Sequence, residues 1–187
     1  KCVFQVADLN ALSLEAQQFD VVFAKAALHH IEALEVLADA LSRVLRPGGR
    51  LIALDFFGPT RFQWTDAQLE WANRLLNDLP PSLRQFRDGR LYEQITRPSI
   101  SDMMALDPTE AVRSSDIERV FGSRFETIAL YPLGGTLVSL VVYGDLVNRY
   151  NPEDPEHCAY LERMLTQEHA LIEQGVLPSD FRLWILA

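Results

Sequence analysis

Lysine is almost missing from this chain. It occurs only at Lys1 and Lys25, and arginine carries the remaining positive charge. Against 26 acidic residues the 17 basic ones leave a formal net charge of −9. That balance excludes the basic stripe of a nucleic-acid groove and disfavours docking on an anionic membrane surface. Cysteine is equally sparse: Cys2 and Cys158 are too few for a disulfide framework, so a reducing cytoplasm is the expected compartment. Long apolar runs are lacking too, since the stretch around residues 136–143 is too short to span a bilayer. No signal peptide, internal repeat or low-complexity segment is visible. Metal-ligand spacing is absent as well. His157 and His169 lie twelve residues apart on one helical segment, so they are assigned to structure and no metal is expected.

What is present is a strand–helix–strand unit over residues 19–57, in a chain of 187 residues that can bury a proper core. Residues 19–25, FDVVFAK, form a short Val-rich run of the kind buried in a parallel sheet. Leu34, Leu37, Leu41, Val44 and Leu45 recur at helical spacing and define one apolar face. Arg43 and Arg46 suit the negative end of the helix dipole, Pro47 forbids continuation, and Gly48-Gly49 supplies a left-handed exit. Residues 50–57 are again an apolar strand, with Asp55 near its end. Short loops between these pieces make a right-handed βαβ unit.

The wording FDVVFAKAALHHI followed by LSRVLRPGGRLIALDF resembles the middle of a class I S-adenosylmethionine-dependent methyltransferase of the small-molecule branch. There the family's fourth strand opens with Phe-Asp, its exit carries Leu-His-His, and the fifth strand follows an Arg-Val-Leu-x-Pro-Gly-Gly turn. The resemblance implies an α/β fold with a Rossmann-like, mostly parallel sheet whose last strand is antiparallel, and S-adenosylmethionine as cofactor. Residues 1–7 would be the family's third strand. Asp8 matches the acidic residue facing the adenine amino group, a donor that wants an acceptor; otherwise it starts a turn with Asn10. Asp8, Leu9, Lys25, Ala26 and His30 are the implied cofactor contacts. His29 and His30, in the loop after a strand end, are candidate general bases with naturally near-neutral pKa; the alternative is packing and helix capping.

One departure is large. The family places two βα units before the third strand, the first with a Gly-rich loop beneath the methionine end of the cofactor, and neither occurs here. The expectation is a single methyltransferase domain over 1–187 that is N-terminally incomplete and inactive by itself, with family strands 1 and 2 missing. The orphaned strand would then be able to pair with a second copy in a homodimer.

Beyond residue 57 the rhythm changes. Residues 60–113 read as a mostly helical lid, opened by a capping box at Thr65–Gln68 and carrying Tyr92 among alternating aromatics and arginines. Phe57 and Tyr92 are candidate substrate contacts, with a core position as the alternative for Phe57. Arg113 is a candidate for a substrate anion, although a loop-holding pair with Asp107 or Glu110 ranks first. Ser115 and Glu118 suggest a second capping box, and residues 124–132 a strand. Residues 134–176 read as a helical insertion, with helix over 136–150 and a second helix begun by Asp154-Pro155. That second helix would present Cys158, Leu161, Leu165 and Ile172 on one face, before a last strand over 181–186. The function expected is methyl transfer to an oxygen or nitrogen of a small molecule. A non-catalytic binding or assembly module is the alternative, and a nicotinamide oxidoreductase ranks below both for want of a dinucleotide fingerprint.

Overall fold

Period-2 and period-3.6 patterning resolve, in the computed structural model, into elements shared between two units; residues 2–187 are described. The first unit comprises residues up to 61, 99–132 and 182–187, and the second 62–98 and 133–181.

The first unit holds a four-stranded sheet. β1 (Phe19–Lys25) runs parallel to β2 (Leu45–Phe56), and β4 (Phe181–Leu186) lies between β2 and β3 (Thr127–Pro132), antiparallel to β3. The last strand is thus antiparallel, as the resemblance implied. β1 is an edge strand with only Val22 and Ala24 turned to the core, while Phe19, Val21 and Phe23 are about half exposed. The expectation of a strand buried on both faces is therefore corrected: among the described residues one face alone is covered.

Helix α1 (Leu34–Val44) buries Leu34, Leu37, Ala38, Leu41 and Val44, the stripe its spacing dictates. It ends without help from Gly48-Gly49. Gln17 and Gln18 donate their backbone N–H groups to the carbonyls of Arg43 and Val44, satisfying the orphan acceptors of the last turn. Leu45 already pairs opposite Phe19. Pro47-Gly48-Gly49 then arches inside β2, where a Cβ at Gly49 would lie 2.9 Å from the Arg46 carbonyl oxygen. Helices α3 (Ile100–Leu106) and α4 (Ile117–Gly122) belong to the same unit, and the core joins α1, β2, α4 and β4 through Leu37, Leu51, Phe121 and Trp184.

Two further expectations fail here. Residues 2–7 form no strand, and Val3, Phe4 and Val6 are almost fully exposed. A strand exists only through ladder bonds to a neighbour, and among the described residues none lies beside this stretch; Lys1 is outside them. The capping box at Ser115 is also absent. The Ser115 hydroxyl bonds to Thr60 Oγ1 at 2.7 Å and Ser114 Oγ donates to the Gly58 carbonyl, so α4 starts at Ile117 with no side-chain cap.

The second unit is built on α2 (Asp66–Asn77), the four-residue α5 (Val138–Val141) and α6 (Pro155–Glu173). The Thr65–Gln68 capping box is formed, and Asp154 caps α6 with Pro155 at its first position. Helix does not extend over 136–150: α5 stops at Val141 and a 3-10 stretch, Gly144–Arg149, follows, with Gly144 at φ +61°. Nor is 78–99 helical beyond a 3-10 turn at Pro81–Leu83; Gln85 and Leu91 face each other in an isolated bridge.

The buried face of α6 is Met164, Glu168 and Leu171 rather than the one expected, and Leu165 is half exposed. The displaced face follows from Glu168. Its carboxylate accepts the N–H groups of Gly135 (2.8 Å), Leu137 (2.6 Å) and Val138 (2.9 Å), so a charged residue occupies the core stripe. Gly135 must be glycine there: its φ is +74°, and a Cβ would approach the Phe181 ring to 2.4 Å. A second buried network joins Gln68 Nε2 to Thr136 Oγ1 and Asp180 Oδ2.

Candidate functional site

Ligands of open α/β sheets sit outside the carboxyl ends of the strands, and the chemistry-bearing residues of the first unit collect there. Lys25 ends β1, exposed, and Ala26 turns the chain at φ +47°, a left-handed conformation unusual for alanine. The strain is held by Asp55, one residue before the end of β2. Its buried carboxylate accepts N–H bonds from Ala27 and Leu28, both at 2.8 Å on Oδ2, and from Phe56 at 2.8 Å on Oδ1. The same Oδ1 receives His29 Nδ1 at 2.5 Å. One carboxylate therefore folds the post-β1 loop and orients an imidazole.

The ionisation of this pair follows from the geometry. Burial pulls the His29 pKa down, but the Asp55 hydrogen bond and the charges of Asp55, Glu110 and Asp107 outweigh it, leaving the value above that of an ordinary histidine. For Asp55 burial pushes the other way, and the bonds from His29, Ala27 and Leu28 hold the carboxyl below its ordinary value.

His30 is oriented separately. Its Nδ1 lies 3.0 Å from Thr109 Oγ1, whose own hydroxyl donates to Asp107 Oδ1 at 2.7 Å. The loop after α3 is latched to the histidines by Val112 N–H on the His29 carbonyl, and it brings in Glu110. Glu110 Oε1 is 3.6 Å from His29 Nε2, and Oε2 is 3.9 Å from His30 Nε2.

Asp8 and Leu9 are brought beside this loop. Asp8 Oδ1 accepts from Asn10 N–H at 2.9 Å, which caps the 3-10 turn Leu9–Ala11, and Leu9 packs on the core. Asn10 Oδ1 in turn accepts from Glu32 and Ala33, just after the histidines. Six of the nine candidate residues, Asp8, Leu9, Lys25, Ala26, His29 and His30, thus border one strand-end edge.

The substrate candidates do not join them. Phe57 is in the core, edge-on to Trp184 at 5.8 Å with the Arg182 guanidinium over its ring, so its alternative reading as a core residue is the one realised. Arg113 forms a bidentate pair with Glu35 (2.7 and 2.8 Å), bonds Asp116 at 3.0 Å, and donates to the Glu32 carbonyl. Its partners are not the expected Asp107 and Glu110. It clamps the start of α1 to the start of α4. Tyr92 belongs to the second unit, against Phe86 at 5.4 Å, where burial pushes its pKa up to about 12.

Sequence reasoning missed Asp55 as an orienting group, Glu110 as a neighbour of the histidines, and Thr109 altogether. Asp55 carried a usable signal, a lone carboxylate ending an apolar strand next to a His-bearing loop. Glu110 carried none, being 80 residues from His30. A surface groove lined by Arg43, Arg46, Arg50 and Arg124 lies at the opposite, amino ends of β1 and β2. Arg46 is paired there with Asp20 and Arg124 with Asp39.

Residues 1–53 match the model of the Methyltransferase domain family. A demethylmenaquinone methyltransferase of Streptomyces griseus is 32% identical over 81 residues, 43% of this chain and 34% of that protein. The chain therefore spans about a third of the length of the curated relative it matches. Among solved structures, an S-adenosylmethionine-dependent methyltransferase from Mesorhizobium loti superposes with a TM-score of 0.46 at 17% identity, over 96% of this chain and 67% of that one. A Haemonchus contortus phosphoethanolamine N-methyltransferase 2, in complex with S-adenosyl-L-methionine, gives 0.44 at 14% over 96% and 34%.

Proposed function

We propose that this chain, whose first 53 residues are methyltransferase-domain sequence of the class I S-adenosylmethionine-dependent kind, serves methyl transfer to an oxygen or nitrogen of a small molecule. The observation that carries the reading is the coincidence of that family segment with an Asp55–His29 pair at the carboxyl edge of β1 and β2.

The residues present fit the cofactor. Both bonds that Asn10 makes to Asp8 fall on Oδ1, so Oδ2 suits an exocyclic amine, and Leu9 offers an apolar edge beside it. Lys25 and Ala26, at the end of β1, suit the methionine end. When bound, S-adenosylmethionine supplies an electrophilic methyl group.

The chain's own work is orientation and proton management. Asp55 accepts from His29 Nδ1, which leaves Nε2 to take the proton of an acceptor hydroxyl or amine. Asp55 is a positioning residue, since it acts through His29 and through the loop backbone. His30 is oriented by Thr109 and is the more exposed of the two rings. In-line alignment contributes through effective molarity, and a base matters only for acceptors that arrive protonated. Demethylmenaquinone, from the name of the Streptomyces griseus relative, belongs in the first panel.

The test is transfer of a labelled methyl group to a panel of small-molecule hydroxyls and amines, with wild type beside His29→Asn. The expected result is product with wild type and a rate about 100-fold lower in the variant for protonated acceptors, with unchanged S-adenosylhomocysteine affinity. Absence of product across the panel despite cofactor binding would favour the non-catalytic binding module.

A further inference from the structure

We propose that His29, His30 and Glu110 form a binding site for a single divalent first-row transition ion. The inference stands on the first unit alone and does not depend on the methyl-transfer reading; an ion on His29 Nε2 occupies the lone pair that would take an acceptor's proton, so the two roles belong to the ion-bound and ion-free states.

Thr109 spends its hydroxyl hydrogen on Asp107 Oδ1, so its oxygen can only accept from His30, and His30 Nδ1 must carry a hydrogen. Asp55 accepts at His29 Nδ1 in the same way. In their neutral forms both imidazoles are thereby set with Nδ1 as donor and the Nε2 lone pair turned toward one carboxylate. Their Nε2 atoms lie 3.6 and 3.9 Å from the two oxygens of Glu110, and the three donor groups fall within 4.8 Å of one another.

Three electron-pair donors converging on one point call for a cation between them. Bonds of about 2.1 Å at tetrahedral angles would place such donors about 3.4 Å apart, so side-chain adjustments of roughly an ångström close the set. Two imidazoles and a carboxylate match the N,N,O donor sets of Zn²⁺ and Fe²⁺ rather than the all-oxygen shells of Ca²⁺ or Mg²⁺. The second layer is the one metal-bound histidines use: a carboxylate on one Nδ1–H and a hydroxyl backed by a carboxylate on the other. Entry is open, because His30 and Glu110 are each about one-third exposed.

The test is calorimetric titration of the chelator-stripped, tag-free chain with Zn²⁺. The expected result is one ion per chain with a Kd of about 10 µM or tighter. Glu110→Gln and His30→Ala should each weaken it at least tenfold. Thr109→Val, which removes only the orienting hydroxyl, should cost about tenfold. His169→Ala, beside Glu173 on α6, should leave the affinity unchanged. Both ligand substitutions are at partly exposed positions, and circular dichroism of each variant verifies the fold. Absence of binding, or an affinity indifferent to Glu110→Gln and His30→Ala, overturns the site and leaves a proton as what the three groups share. S-adenosylhomocysteine binding measured in chelator reports on the methyltransferase reading separately.

Discussion

Asp55 decides the local structure of the site. It is 1% exposed, accepts three short backbone N–H bonds and holds the His29 ring. Asp55→Asn keeps the volume but turns an amide NH₂ toward groups that are themselves donors. The expected loss is about 2–4 kcal/mol in chemical denaturation, with faster hydrogen exchange at Ala27 and Leu28. Ala26 is a milder case. Relief of its left-handed strain by Ala26→Gly is offset by the entropy of the unfolded chain, so stability should stay within about 1 kcal/mol of wild type, whereas Ala26→Val should lose about 1–3 kcal/mol.

Arg113 gives a pH signature. Its hydrogen bond, with lesser help from a backbone bond, pulls the Glu35 carboxyl down to about 2. A depressed carboxyl stabilises the fold above the unfolded value near 4.3 and loses that contribution as pH falls through about 2. Glu35 is half exposed, so solvent screening keeps the contribution small. Acid titration followed by circular dichroism should show Arg113→Ala flattening stability between those two values. An unchanged acid limb would show that the clamp contributes nothing there.

At the scale of elements, β1, α1 and β2 were legible because their periodicities differ sharply and each apolar position has a reason. The ends of those elements were less so. The helix stops four residues before Gly48 because residues 17–18 take its last carbonyls, and such partners are not local in sequence. The capping box at Thr65 formed while the equally plausible one at Ser115 did not, since Thr60 and Gly58 compete for the serine hydroxyls. Glu168 shows the same limit: a charged residue facing the core contradicts amphipathic reading until the three N–H groups it caps are seen. Glu168→Ala should cost the second unit about 3 kcal/mol or more, because those N–H groups lose a charged acceptor. Glu168→Gln should lose less, and differential denaturation of the two variants checks the order.

At the scale of the whole chain, the family segment ends at residue 53, while Thr109 and Glu110 lie beyond it and complete the histidine cluster. Asp8, His29 and His30 were candidates through the family wording, and folding brings them to one edge; Glu110 was supplied only by folding. No helix is long and apolar enough to cross a membrane among the described residues. The proposed cofactor edge is formed by Asp8, Leu9 and the loop after β1. The most direct test is calorimetric titration of S-adenosylhomocysteine into the complete reading frame that encodes this sequence, beside its Asp8→Ala variant. Micromolar binding is expected, weakened about tenfold, or 1.4 kcal/mol, in the variant. Absence of binding, or an affinity indifferent to Asp8, would contradict it.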